Sequence, residues 1–210
     1  MRKIKINLKK IEKKDIEDIV SVFLKGGIVV YPSDTVYGIG CIATDKKAVD
    51  RVRKLKKRDY KKPFLFLVKS FCMAKKYAKV NKKQDEYLRT IWPARTNSAK
   101  IHQEAKKSPK TVILKSRGVL PNNVENEDAS IALRLPKNDF LSTILKKLDL
   151  PIISTSLNIS GQQTIGNLDH LDKIFEENKI DLVVDGGPIS RQKSSEIIDI
   201  RDINNIIKIR

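Results

Sequence analysis

The chain has 210 residues, 40% of them apolar and 32% charged, a balance that places it with folded soluble proteins and away from disordered chains. Its 43 lysines and arginines against 25 aspartates and glutamates give a net charge of +18; a composition dominated by Lys and Ile accounts for much of this, and such a field also draws nucleotides or RNA. No apolar run reaches membrane length, no apolar core follows the basic Met1–Lys5 start, and two scattered cysteines (Cys41, Cys72) and two scattered histidines (His102, His170) argue against a zinc site or a disulfide framework, so a cytoplasmic protein with reduced thiols is expected.

Residues 3–8 alternate basic and apolar, as an edge strand does. Ile16, Ile19, Val20, Phe23 and Leu24 follow with helical spacing, and Gly26-Gly27 closes that helix. Residues 28–31 form a short continuous apolar strand, expected at the centre of a sheet. A helix is predicted over 46–57 with Ala48, Val52 and Leu55 on its buried stripe, then a strand over 64–68 after Pro63. Helices are expected near 70–77 and 82–91, and strands over 111–115 and 130–135. Phe140, Leu141, Ile144, Leu145 and Leu148 mark a helix ahead of Pro151, and a strand over 151–154 runs into Ser154-Thr155-Ser156-Leu157-Asn158. Leu168, Leu171, Ile174 and Phe175 give a last helix, followed by strands over 182–184, 196–200 and 205–209. The alternation sets the class as α/β, a single-domain twisted sheet with flanking helices, and the close spacing of the late strands makes that sheet mixed parallel/antiparallel.

Chemistry concentrates in four segments. Tyr31-Pro32-Ser33-Asp34-Thr35-Val36-Tyr37-Gly38 carries a buried strand into a small polar turn. From Arg51 to Lys62, eight of twelve residues are Lys or Arg. A solvated helix end that complements the helix dipole explains Arg53 and Lys54. Arg58 and Lys62, beyond the helix beside Pro63, suit phosphate binding better. Neither a Walker loop nor a Gly-x-Gly-x-x-Gly fingerprint occurs, so side-chain cations would have to take the phosphate charge. The hydroxyl- and amide-rich 154–158 stretch reads either as a ligand-facing row or as a turn that satisfies its own backbone; with no convincing base, a hydrolase triad is not indicated. Arg134 sits inside an apolar strand on one face with Ser130 and Ala132, and needs an anion from the protein or from a ligand.

These segments, with Trp92-Pro93, Arg134-Leu135-Pro136, Ser154 to Gly161 and Asp185-Gly186-Gly187-Pro188 in order, resemble the YrdC family of L-threonylcarbamoyladenylate synthases over nearly the whole chain. The resemblance implies a YrdC-like fold over 1–210 with a basic concave cleft. The reaction it implies turns L-threonine, bicarbonate and ATP into threonylcarbamoyl-AMP and pyrophosphate, for modification of the adenosine beside the anticodon of tRNA. It assigns Lys56 and Arg58 to catalysis. Threonine would be bound by Thr35, Tyr37, Arg134, Ser154 and Ser194, and ATP by Lys56, Arg58, Lys62, Ser130, Ser156, Asn158 and Arg210. Mg2+ would ride on the ATP phosphates with no protein metal site, and the product would pass to a downstream tRNA threonylcarbamoyl-transferase complex. The chain departs from the family pattern in fourteen inserted residues, 94–107, and in Ser108 where glycine is usual; Ser33 and Leu67 are smaller departures. The insertion reads as an RNA-contacting or lid loop, or as a tolerated surface insertion. Two other classes stand beside this one. The first is a non-catalytic module of the same fold that binds tRNA or double-stranded RNA, although no RNA motif or interleaved exposed aromatics appear. The second is a carbamoyl-transfer enzyme that uses carbamoyl phosphate.

Overall fold

Ile16, Ile19, Val20 and Phe23, spaced for one helical face, are the buried side of α1 (Lys13–Leu24), while Leu24, placed on that stripe by spacing, is 59% exposed at the helix end. The structure is a computed structural model that describes residues 1–60, 62–92, 109–121, 124, 128–165, 168–169, 171–175, 179–189 and 195–210; the inserted stretch 94–107 and Ser194 lie outside them. Along the chain the elements are β1 (Arg2–Lys5), α1, β2 (Val29–Pro32), β3 (Tyr37–Ile42), α2 (Lys46–Leu55), β4 (Leu65–Leu67), α3 (Phe71–Tyr77), β5 (Ala78–Lys79), α4 (Lys82–Ile91), β6 (Lys110–Ser116), β7 (Ser130–Arg134), α5 (Asp139–Leu148), β8 (Ile152–Ser156), α6 (Leu171–Ile174), β9 (Leu182–Asp185), β10 (Glu196–Asp199) and β11 (Ile207–Lys208). Side-chain caps start four of the helices: Asp45 accepts from Ala48 N, Ser70 from Met73 N, Asn81 from Gln84 N and Asn138 from Leu141 N, each satisfying a donor the helix leaves orphaned. Among the described residues no helix is long and apolar enough to cross a membrane.

All the strands join one sheet in the order β1-β9-β2-β3-β8-β4-β7-β6-β10-β11, with β5 on β6. It is mixed: β1 and β2 run parallel to β9, β4 to β7 and β6 to β10, whereas β3–β8, β4–β8 and β6–β7 are antiparallel. The predicted N-terminal edge strand is at the edge, and the 28–31 strand is central.

The strand β3 was not expected, because Gly38 and Gly40 weaken its pattern. The glycines have a cross-strand reason. A Cβ on Gly38 would lie 2.9 Å from Tyr31 Cε2, and one on Gly40 would lie 1.9 Å from the Ile153 carbonyl oxygen and 3.0 Å from Tyr31 Oη. The Tyr31 ring therefore lies across β3 in the space two side chains would fill. The strand before Leu157 also runs two residues further than expected, so Ser154, Thr155 and Ser156 belong to β8 itself.

Register decides which side chains meet, because directly paired residues point to the same face. Gly38 pairs Ser156; Gly40 pairs Ser154, then Leu65 and Ala132; Ile152 pairs Leu67, then Arg134 and Thr111. Hence Tyr31, Ser154, Ser156, Ala132, Arg134 and Thr111 share one face. The opposite face, with Val30, Ile39, Ile153, Phe66, Leu133 and Val112, packs the larger core against α2, α3 and α4 through Val49, Val52, Met73 and Leu88. On the first face α1 and α5 cover Val29, Tyr31, Ile42, Leu67 and Ile152. Beyond those helices Leu65, Ile113, Ala132, Ser156 and Ile197 are only half-buried, and the polar residues of interest lie there.

Candidate active site

The α2 helix ends in Lys56, whose backbone N–H bonds back to Val52 O. Its side chain turns inward and is 1% exposed. The ammonium donates to the carbonyl oxygens of Ser156 and Asn158, both at 2.5 Å, and to Asn158 Oδ1 at 3.0 Å. Asn158 Oδ1 also accepts from the Ser156 hydroxyl at 2.7 Å, and Ser160 N donates to Lys56 O at 3.0 Å. The lysine's three donors thus go to the segment where β8 ends, so it fixes the Ser156 and Asn158 side chains. Burial first, and the neighbouring Arg58 charge second, push Lys56 down from its ordinary value to about 7.

Lys57 turns the chain out of the helix at φ 48°, a conformation rare outside glycine and asparagine. Arg58 follows, half-buried, and donates to Pro63 O at 2.6 Å and to Lys62 O at 3.3 Å, its guanidinium 5.1 Å from the centre of the Phe64 ring. Burial, then repulsion from Arg53, lowers its proton affinity. Arg53 departs from the solvated helix face expected of it. It is 4% exposed, lies 4.7 Å from each of the Tyr60 and Phe64 rings, and donates to Asp59 O at 2.9 Å. Lys62 and Pro63 are exposed. Because Leu65 pairs with Ser154, this cationic loop enters β4 directly beside the end of β8, so the cations and the alcohols meet at one strand end.

The β2–β3 loop, residues 33–36, is closed by Ser33: its hydroxyl donates to Val36 O at 2.5 Å and accepts from Thr35 N at 3.2 Å. Thr35 is 6% exposed, with Oγ1 3.2 Å from Ser33 Oγ. Asp34 reaches Arg134 and forms a buried ion pair through Oδ1 and Nη2. Its Oδ2 accepts from Lys137 N at 3.3 Å. A protein carboxylate therefore supplies the anion that Arg134 requires, yet the Arg134 Nε, also buried, has no hydrogen-bond partner among the described residues.

Tyr37 is not brought to the face that carries Ser154 and Ser156. It sits in the core on the other side, its hydroxyl donating to Gly187 O at 2.8 Å and accepting from Gly186 N at 3.0 Å; burial above all raises it to about 12. There it borders an open cleft of about 1030 Å3 bounded also by residues 5–9, Leu168, Asp169 and Asp185 to Pro188. Among the described residues, none of the basic loop borders that cleft. Strand alternation explains the difference, since Tyr37 and Gly38 are neighbours and must point apart. Tyr31, buried beneath α1 and α5, is the tyrosine on the sheet face of Ser154, and sequence spacing from Ser154 gave no cue to it.

A family model for Sua5/YciO/YrdC, described as telomere recombination, matches residues 21–210. The chain belongs to that family. It is 33% identical over 199 residues to a Methanocaldococcus jannaschii protein provisionally named a threonylcarbamoyl-AMP synthase, covering 94% of this chain and 86% of that one. A Neisseria meningitidis threonylcarbamoyl-AMP synthase is 31% identical over 184 residues, 86% of this chain and 88% of the relative. The crystal structure of Pyrococcus abyssi Sua5 complexed with L-threonine superposes with a TM-score of 0.83 at 25% identity; it covers 100% of this chain, which spans 57% of the Pyrococcus chain.

Within this Sua5/YciO/YrdC fold, Lys56, Ser156 and Asn158 touch one another, and Arg58 and Lys62 stand beside them. Ser154, 8% exposed, shares their strand, and Thr35 shares its loop with the partner of Arg134. Ser130, 3% exposed, opens β7 with its N–H on Asp128 Oδ1 at 3.1 Å. Arg210 is placed apart: its Nε donates to Ser195 O at 3.2 Å on the far border of the sheet, beside β10 and β11. Asp34 is the residue that sequence reasoning left without a role, although it lies inside the motif. Among the described residues no group of three or more His, Cys, Asp or Glu stands together.

Proposed function

We propose that this chain is a threonylcarbamoyl-AMP synthase. The observation that carries the reading is the junction at the end of β8, where Lys56 holds Ser156 and Asn158 beside the Arg58–Lys62 loop, with buried Arg134 on the same sheet face. Membership of the family and likeness to threonine-bound Sua5 support it.

In this reading Arg134, Thr35 and Ser154 hold L-threonine, and the family resemblance adds Ser194 to them. Arg58 and Lys62 take the ATP phosphates, and Ser156 and Asn158, set by Lys56, contact the nucleotide, with Ser130 as an outer contact. Arg58 would exchange its two carbonyl partners for phosphate oxygens, a gain because guanidinium–phosphate bonds are charge-assisted on both sides. The threonine nitrogen bonds to the bicarbonate carbon with loss of water and a proton. A carbamate oxygen then bonds to the α-phosphorus as the bond from that phosphorus to pyrophosphate breaks. Neither step needs a protein nucleophile; alignment and neutralisation of the leaving group carry the rate. Mg2+ arrives as part of the ATP substrate and neutralises its phosphates. The product passes to a tRNA-modifying transferase in the cytoplasm, and tRNA itself is a further candidate partner.

Omitting one substrate at a time tests the reading. Pyrophosphate release is expected only when ATP, L-threonine and bicarbonate are all present; release from ATP alone, or from carbamoyl phosphate chemistry without threonine, would overturn it.

A further inference from the structure

A buried ion pair kept for structure alone gains most when carboxylate and guanidinium meet fork to fork, with two parallel hydrogen bonds offsetting the loss of hydration. Asp34 and Arg134 do not meet that way. Their side chains are 9% and 6% exposed, and they are joined through Asp34 Oδ1 and Arg134 Nη2. The second carboxylate oxygen goes to Lys137 N at 3.3 Å, and Arg134 Nε is left buried without a partner among the described residues. Tyr31 lies on the same sheet face, close enough to feel both charges. Unsatisfied buried polar atoms of this kind are costly unless something fills them. What is missing is a group with an acceptor for Arg134 and a donor for the lone pairs Asp34 still has free.

A zwitterionic α-amino acid carries that combination on one carbon. We infer that Asp34 is the anchor for the substrate's α-ammonium, so that the Asp34–Arg134 pair receives the amino acid as a zwitterion: carboxylate on Arg134, ammonium on Asp34. The inference rests on the reading of Arg134 as the threonine carboxylate partner and adds a specificity-determining residue to it. Asp34 holds the nitrogen that must react, on the loop that also carries Thr35. Ligands without an α-ammonium group bind more weakly because they leave the remaining lone pairs of Asp34 without a donor.

Calorimetric titration of the whole protein with L-threonine, with 2,3-dihydroxybutyrate of matching stereochemistry (hydroxyl in place of ammonium) and with L-threonine amide (no carboxylate) tests this in the wild type and in Asp34→Asn. The wild type should prefer threonine to the dihydroxy acid by about 10–100-fold, the size of a lost charge-assisted hydrogen bond. In Asp34→Asn that preference should fall to within about threefold, with the preference over the amide kept. If Asp34→Asn weakened threonine and the dihydroxy acid by the same factor, Asp34 would be a structural brace only and the inference would be overturned. Should Asp34→Asn fail to fold, equal wild-type affinity for threonine and the dihydroxy acid overturns it, and the full preference supports it. Equal wild-type affinity for threonine and its amide is a different failure, one that removes the Arg134–carboxylate reading on which the inference stands.

Discussion

Lys56 shows how one side chain can serve a site without facing it. Its ammonium meets three oxygens of residues 156–158, so Lys56→Met takes a donor from two carbonyls at a cost of about 1–3 kcal/mol in stability, and loosens the Ser156 and Asn158 side chains. Its proton gives the pH dependence a sign. Folding lowers Lys56 from the ordinary 10.5 to about 7, so between those values the unfolded chain holds a proton that the folded chain has released. Wild-type stability relative to Lys56→Met should therefore rise from pH 7 towards pH 10 and be flat below 7. Melting curves of both proteins across that range check it, and a difference that shrinks with rising pH would contradict the assignment. Arg58, by contrast, spends its donors on two nearby carbonyls. Arg58→Ala should cut pyrophosphate release by about 100-fold or more with little change in melting; full turnover in that variant would remove it from the phosphate site.

At the scale of elements, the helices and most strands were legible because their apolar periodicity agrees with burial: Ala48, Val52 and Leu55, and the Phe140 to Leu148 stripe, are buried as spacing requires. Other features depend on contacts across long stretches of sequence. The β3 strand was hidden by two glycines whose reason is a ring on β2 and a carbonyl on β8. Gly40→Ala should accordingly destabilise the fold by about 3 kcal/mol or more, since the new methyl would overlap the Ile153 carbonyl and cannot be relieved by a flexible neighbour; a chemical-denaturation midpoint equal to wild type would show that β3 yields there. The same limit applies to the site. The cationic loop and the alcohol-rich strand end were readable as chemistry in sequence. That Tyr37 enters the larger core while Tyr31 lies on the sheet face of Ser154 and Ser156 follows only from the register of β2, β3 and β8. The partner of Arg134 lies one hundred residues away in Asp34, and a lone arginine in a strand gives its need for an anion but not its source.

Across the whole molecule, a charge of +18 is spread over a sheet whose most buried cations, Arg53 and Lys56, are already engaged with protein oxygens and rings. The excess that remains at the surface suits electrostatic attraction of ATP and tRNA more than sequence readout. Any tRNA binding should thus weaken at least about tenfold between 50 and 200 mM salt, without preference among tRNAs of different sequence; selective, salt-insensitive binding would favour an RNA-recognition role for the same fold. The central claim is chemical: one site holds threonine by its carboxylate so that its nitrogen, once carboxylated, reaches the α-phosphorus of ATP. The most direct measurement is mass spectrometry of the adenylate formed with carbon-13 bicarbonate. The account predicts a single adduct of threonine, one labelled carbon and AMP. An unlabelled threonyl-AMP, made by attack of the amino acid's own carboxylate, would contradict it.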